Sequence, residues 1–290
     1  MGIIVDSKTF VLVQGITGRQ GAMHTEEMLK YGTKVVAGVT PGKKGSLVHG
    51  VPVYDTVEDA VKNHPEINTS IIFVPAAAAP DAVYEAVDNG IKTVIVITEH
   101  IPVHETIRFV LYARNHGATL VGPNTPGVIT PPSVKVGIMP GDYFIPGPVG
   151  LMSRSGTLTY EVSLQLAKRG LGVSTAVGIG GDPVSGISFE DAYLLFEKDP
   201  QTKVVVLIGE IGGYKEESFA KFYSSRPNRK PVVAFIAGKS APPGKKMGHA
   251  GAIVYGKRGT YSTKVEALSE AGVKVAKTLA EIPELVKGLL

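Results

Sequence analysis

Cysteine is absent from the chain, which excludes disulfides, thiolate metal sites and a cysteine nucleophile. Any sulfur chemistry must therefore bring its thiol on a ligand. Long hydrophobic runs are missing too: no stretch reaches the roughly 18 apolar residues of a membrane-spanning helix, and the N-terminus lacks the basic start and apolar core of a secretion signal. The expectation is a cytoplasmic enzyme or binding protein. Charge of one sign is scarce, with 30 Lys and Arg against 26 Asp and Glu and a net charge of +4. The lysines are scattered except at Lys43-Lys44 and Lys245-Lys246, so a nucleic-acid surface is poorly supported and a local site for phosphorylated ligands fits better. Several catalytic signatures are also lacking. SRSGT (153–157) has no G-x-S-x-G elbow. Only His100 and His104 share a ligand-like spacing, and the proline between them argues against one helical face, so no metal site is expected. Gly238-Lys239-Ser240 has Val233 where a Walker loop needs glycine.

What is present is a turn-rich globular composition: 43% hydrophobic residues, 35 glycines and 20 prolines, in 290 residues that give room for two domains. Val- and Ile-rich runs at 9–15, 33–39, 69–75, 92–98 and 118–123 alternate with helical patterns such as 79–90, where Ala82, Val83, Ala86 and Val87 share a face and Gly90 stops the helix. Continuous apolar strands separated by helices imply a parallel sheet buried on both faces. Between 122 and 150 seven prolines and six glycines collect, unlike strand or helix, and the domain junction is expected there. The alternation then resumes to the C-terminus. The expected division is a first domain over 1–125, a Pro/Gly-rich linker over 126–149 and a second domain over 150–290, both domains α/β and doubly wound.

In QGITGRQGAMH, Gly15, Gly18 and Gly21 follow the first strand and open the first helix, where a parallel sheet offers amides and a helix N-terminus to a phosphate. The G-x-x-G-x-x-G spacing departs from the dinucleotide fingerprint, and the second strand ends in TPGKKG rather than in an acid that would hold a nicotinamide cofactor's ribose. Lys43 and Lys44 sit where a phosphorylated ribose would lie, so coenzyme A and NADP both qualify.

In the second half, Ser155 reads as an N-cap and Gly156 leaves an open amide at a helix start suited to an anion. Glu210 lies just past a wholly apolar strand, on the ligand-binding side of such a sheet. In MGHAGA, His249 has almost no bulky neighbours, and Lys239, Lys245 and Lys246 lie near it in sequence. A carboxylate such as Glu210 on one ring nitrogen would fix the tautomer and leave the other as a nucleophile for phosphoryl transfer, and the helix start at 156 would supply amides to the product.

The stretches QGITGRQG, YGTKVVAGVTPGKKG, VIVITEHIP, GPNTPGVI, SRSGTLTYE, VGIGGDP, FEKDPQT, IGEIGG and KKMGHAGAI, in this order, closely resemble the α subunits of succinate–CoA ligases over essentially the whole length. The resemblance implies a Rossmann-like CoA-binding domain followed by a flavodoxin-like ligase domain. It implies that Thr17, Gly18, Arg19, Gln20, Lys43, Ile97, Thr98 and Glu99 bind coenzyme A, that His249 is phosphorylated during turnover and oriented by Glu210, that Ser155 and Gly156 belong to the phosphate cradle, and that Tyr160 contacts the organic acid. The family reaction, a step of the tricarboxylic acid cycle, converts succinate, CoA and ATP or GTP reversibly to succinyl-CoA, nucleoside diphosphate and phosphate. A β subunit supplies an ATP-grasp nucleotide site with magnesium and a second helix N-terminus, in a heterodimer or heterotetramer. Two positions depart from the family pattern: Thr125 replaces a frequent cysteine, and Lys44 a frequent glycine. A related ligase acting on malate or acetate, a non-catalytic CoA-binding module and an NADP oxidoreductase are the alternatives.

Overall fold

Strands buried on both faces need largely apolar side chains, and this chain supplies them, with buried polar exceptions such as Gln14, Ser70 and Ser174. In the computed structural model, which describes residues 2–242, 247–254 and 258–290, the first half builds β1 (Phe10–Gln14), α1 (Arg19–Lys30), β2 (Lys34–Val39), β3 (Leu47–Val48), β4 (Val51–Tyr54), α2 (Val57–Asn63), β5 (Thr69–Ile72), α3 (Ala79–Asp88), β6 (Thr93–Val96), α4 (Val103–Asn115) and β7 (Thr119–Val121). The sheet order is β3-β4-β2-β1-β5-β6-β7, with β1 parallel to both β2 and β5. The chain reverses direction across the sheet at β1, so the crevice at its carboxyl end, where the glycine loop lies, is the ligand-binding position of a Rossmann-like sheet.

The second half builds β8 (Gly127–Thr130), β9 (Val134–Gly137), β10 (Pro146–Ser153), α5 (Gly156–Lys168), β11 (Val173–Gly178), α6 (Phe189–Lys198), β12 (Val204–Glu210), α7 (Lys215–Ser224), β13 (Val232–Ala237), α8 (Tyr261–Glu270), β14 (Lys274–Ala276) and α9 (Ile282–Lys287). The order β14-β13-β12-β10-β11-β8-β9 gives its parallel strands a flavodoxin-like sequence, whose switch point lies between β10 and β12. Val204 to Ile208 are fully buried, each worth about 1.5–3 kcal/mol, so Glu210 is held at the rim by a strand that cannot shift without exposing its neighbours. On α6, Ser188 accepts from the Asp191 amide while Asp191 accepts from the Ser188 amide, a capping box that sets where the helix starts.

The stretch expected as a linker, 126–149, carries structure of its own. The hairpin β8–β9 pairs antiparallel with β11 and extends the second sheet, and β10 begins at Pro146. Its glycines serve close approach rather than flexibility: a Cβ on Gly127 would sit 2.1 Å from the Val136 carbonyl oxygen, and one on Gly137 would sit 2.2 Å from that of Pro126. The hairpin also joins the halves. The Thr33 hydroxyl donates to the Lys135 carbonyl at 2.7 Å and accepts from its amide at 3.0 Å, and the Thr130 hydroxyl donates to the Val5 carbonyl at 3.0 Å. One apolar core, including Val11, Val13 and Ile16 with Val128, Val136 and Val177, runs through both halves. Among the described residues no helix is long and apolar enough to cross a membrane.

Candidate active site

Four segments converge at the carboxyl ends of β10 and β12. The first is the β10–α5 turn. Ser155 caps α5, its hydroxyl accepting from the Leu158 amide at 3.3 Å, and no acidic residue occupies the first turn. The amides of Gly156 and Thr157 precede the capped one, so the positive end of a 13-residue helix is left for an anion. The second is Glu210, buried at the end of β12. The third is the loop after β13 that carries His249, whose Nδ1 lies 2.8 Å from Oε2 of Glu210. The fourth is 178–182, where glycine is a steric requirement. A Cβ on Gly181 would fall 2.4 Å from Cγ of the His249 ring. Within GHAGA, Gly251 has the same cause, since a Cβ there would come 2.9 Å from the Arg154 guanidinium, whereas Gly248 has open space and is set by its φ of +80°.

The hydrogen bond that His249 donates to Glu210 raises its imidazole above the ordinary value of 6.5, outweighing burial, which acts the other way. With Nδ1 bonded to a carboxylate, Nε2 is the nitrogen left for chemistry. Behind this pair lies a buried charge network. Arg154 makes an ion pair of 3.1 Å with the other oxygen of Glu210 and one of 3.0 Å with Glu216, and donates at 3.2 Å to the carbonyls of Glu210 and Gly212. Glu216 also pairs with Lys264 and accepts from the Glu210 amide at 3.1 Å. Burial alone would raise the Glu216 carboxyl, but Arg154 and Lys264 hold it below the usual carboxylate range. Buried charges persist only when paired in this way. Lys215, which donates to the Asp182 carbonyl at 2.9 Å and to the Ser185 hydroxyl at 3.0 Å, is pushed down to about 8 by burial and by Arg154.

His249 lines a cavity of about 750 Å³ whose walls come from both halves of the chain. Ser155, Gly156 and Tyr160 line it from the second half, and Gln20, Ile97, Thr98 and Glu99 from the first. Tyr160 places its hydroxyl 3.5 Å from where a Gly156 side chain would lie; burial pushes it up to about 12, so it acts as a neutral donor. Thr17 and Gly18 line an adjoining cavity of about 510 Å³ with Thr40 and Pro41, and the two cavities share Phe73, Val74 and Pro75. Arg19 and Lys43 line neither. Arg19 opens α1, exposed, and Lys43 is exposed in the loop after Pro41, its amide donating to Asp55 at 3.1 Å. Thr125 lines the larger cavity and its hydroxyl donates to the Gly178 carbonyl at 2.7 Å. Lys245 and Lys246 lie outside the described residues. Among those described, no three His, Asp or Glu side chains cluster to hold a metal ion.

The sequence reading missed Arg154, Glu216 and Lys264, which resemble ordinary charged loop and helix residues. It also missed His24 and Phe73, which line the cavity. Gln20 and His24, four apart on α1, would have been found by helical spacing once Gln20 was chosen.

Comparison with known proteins agrees with this layout. The family model of the CoA binding domain matches residues 6–100 and that of the CoA-ligase domain residues 152–274. A succinate–CoA ligase (ADP-forming) subunit alpha 2 from Archaeoglobus fulgidus is 56% identical, with the alignment covering 100% of both chains. The subunit alpha of Aquifex aeolicus is 54% identical over 100% of this chain and 95% of its own, and that of Methanothermobacter thermautotrophicus is 53% identical over 99% and 97%. Among solved structures, ATP citrate lyase of Methanosaeta concilii superposes with a TM-score of 0.89 at 24% identity, covering 99% of this chain and 52% of the other; it shares the fold over about half its own length. Two matched domains in this order and full-length identity above half place the chain in the family of succinate–CoA ligase α subunits.

Proposed function

We propose that this chain is the catalytic α subunit of an ADP- or GDP-forming succinate–CoA ligase, acting with a β subunit in the cytoplasm within the tricarboxylic acid cycle. The carrying observation is the His249–Glu210 pair at 2.8 Å on the wall of a cavity shared with Gly156 and with Gln20, Ile97, Thr98 and Glu99. Neutral His249 donates its Nδ1 proton in the hydrogen bond to Glu210 and attacks the terminal phosphorus of the triphosphate with Nε2; the N–P bond forms as the bond to the bridging oxygen breaks and the nucleoside diphosphate leaves. The amides of Gly156 and Thr157, at the start of a helix without acids in its first turn, neutralise the phosphoryl group. His249 then hands the group to a succinate carboxylate held beside Tyr160. The CoA thiol, positioned by Thr17 to Gln20, Lys43 and Ile97 to Glu99, displaces phosphate from the acyl group. A chain without cysteine forms a thioester because the sulfur belongs to the substrate.

The triphosphate and magnesium sit on the β subunit, an ATP-grasp chain in an αβ or (αβ)₂ assembly. The α-subunit names of the relatives support such a partner. No observation favours a malate- or acetate-specific ligase or an idle CoA-binding module. The test is to incubate the complex with γ-labelled triphosphate. Acid-labile, base-stable label is expected on this chain and should vanish in His249→Asn; label that survives the substitution refutes the assignment.

A further inference from the structure

We propose that His24 takes the proton from the CoA thiol as the thioester forms. The inference rests on the ligase reading above and names a residue that reading leaves unused. When the thiol sulfur attacks the carbonyl carbon of the acyl phosphate, the C–S bond forms, the C–O bond to phosphate breaks, and the S–H proton must pass to an acceptor. In the reverse direction the same acceptor returns a proton to the departing thiolate.

The cavity offers few acceptors. Tyr160 is held protonated. Glu99 and His100 stand at the rim, 60% and 74% exposed, facing each other at 3.4 Å. His249 has by then given up its phosphoryl group, but its Nδ1 stays tied to Glu210 and its Nε2 faces the phosphate it has just handed on rather than the thiol. His24 remains. It lies one turn after Gln20 on α1, on the same cavity wall, and so shares that wall with a residue assigned to CoA. Its ring stacks on Phe73, with centroids 5.7 Å apart and planes within 10°, which fixes the imidazole against a residue that lines both cavities. The charged groups that face it are Lys135 from β9 and Glu27 from its own helix. Burial and Lys135 prevail over Glu27 and lower the imidazole below its ordinary value, which leaves a proton-free nitrogen at neutral pH.

The experiment follows one turnover of the αβ complex with its histidine already phosphorylated, so that titration of His249 does not enter. Succinate and CoA are added and succinyl-CoA is measured, with hydroxylamine replacing CoA in a parallel arm. Hydroxylamine attacks an acyl phosphate as a neutral amine and needs no base beforehand. His24→Asn removes the acceptor, and His24→Phe does so while keeping the ring stack. Both are expected to slow succinyl-CoA formation about a hundredfold and to lose the acid limb that the wild type shows below pH 6.5, with hydroxamate formation and histidine labelling unchanged. Wild-type thioester rates with the acid limb intact overturn the proposal. So does an equal loss in the hydroxylamine arm, which marks a packing role. A wild-type complex that takes no label at all overturns the ligase reading itself.

Discussion

The guanidinium of Arg154 lies 3.1 Å from Oε1 of Glu210, while the other oxygen of the same carboxylate holds His249 at 2.8 Å. A buried cation and an imidazole thus share one carboxylate, and Arg154 is also the residue immediately before Ser155, the cap of α5. One side chain connects the start of α5 with the Glu210–His249 pair, the two parts of the proposed phosphoryl site.

Removing the charge of that carboxylate should move the pH response of histidine phosphorylation. Glu210 raises the His249 imidazole above 6.5, so in the wild type the neutral acceptor appears only at higher pH, and the acid limb lies above that value. Glu210→Gln should shift the limb downward and lower the plateau by at least about tenfold, or about 1.4 kcal/mol, because the ring loses its orienting partner. Initial labelling rates against pH check this; an unshifted limb sinks it. Stability follows the same linkage. The raised native value makes the contribution complete below 6.5 and lost as pH rises through the native value.

Arg154→Met should destabilise the fold by about 3–5 kcal/mol, because Glu210 and Glu216 lose a buried partner. Adding Glu216→Gln removes one of the stranded charges, so the double variant should be less destabilised than the sum of the singles. Urea unfolding of the four proteins measures the coupling. Strict additivity would mean that the network is not energetically connected.

Gly181→Ala should displace the imidazole, since the new methyl would sit 2.4 Å from its Cγ and 2.7 Å from its Nδ1. Histidine labelling is expected to fall at least about tenfold with CoA affinity unaltered. Calorimetric titration of CoA beside a labelling assay separates the two effects, and full labelling would show that the loop adjusts at no cost.

Lys43→Ala should weaken CoA binding about tenfold, or about 1.4 kcal/mol, and leave dephospho-CoA unchanged, because the lost contact is to the ribose phosphate. Lys43 lines neither cavity but follows Pro41, which lines the smaller one. Equal loss for both ligands would assign Lys43 to the loop rather than to the phosphate.

Most strands and helices were legible because burial on both faces demands continuous apolar runs, and these stand plainly in the chain. The helical pattern at 79–90 contains α3, which runs from Ala79 to Asp88. The stretch 126–149 was misread because glycine and proline mark turns on average, whereas Gly127 and Gly137 here let two strands approach. The motif residues at 155, 156, 160, 210 and 249 meet at one cavity or pair, as do 20 and 97–99, while 19 and 43 stand outside it.

The sequence by itself determined the alternation of most strands and helices, the glycine loops at their ends and the candidate reactive groups, since periodicity and residue chemistry are local properties. Only the tertiary structure decided that Glu216 and Lys264, written as charged positions on two helices, are fully buried, with Glu216 paired to both Arg154 and Lys264, and that His24 lines the cavity. The physical reason is distance along the chain: the segments around residues 154, 216 and 264 become neighbours only when β10 and β12 pair and the following helices pack. Whether a charge is solvated or buried depends on those neighbours, not on its own stretch of sequence.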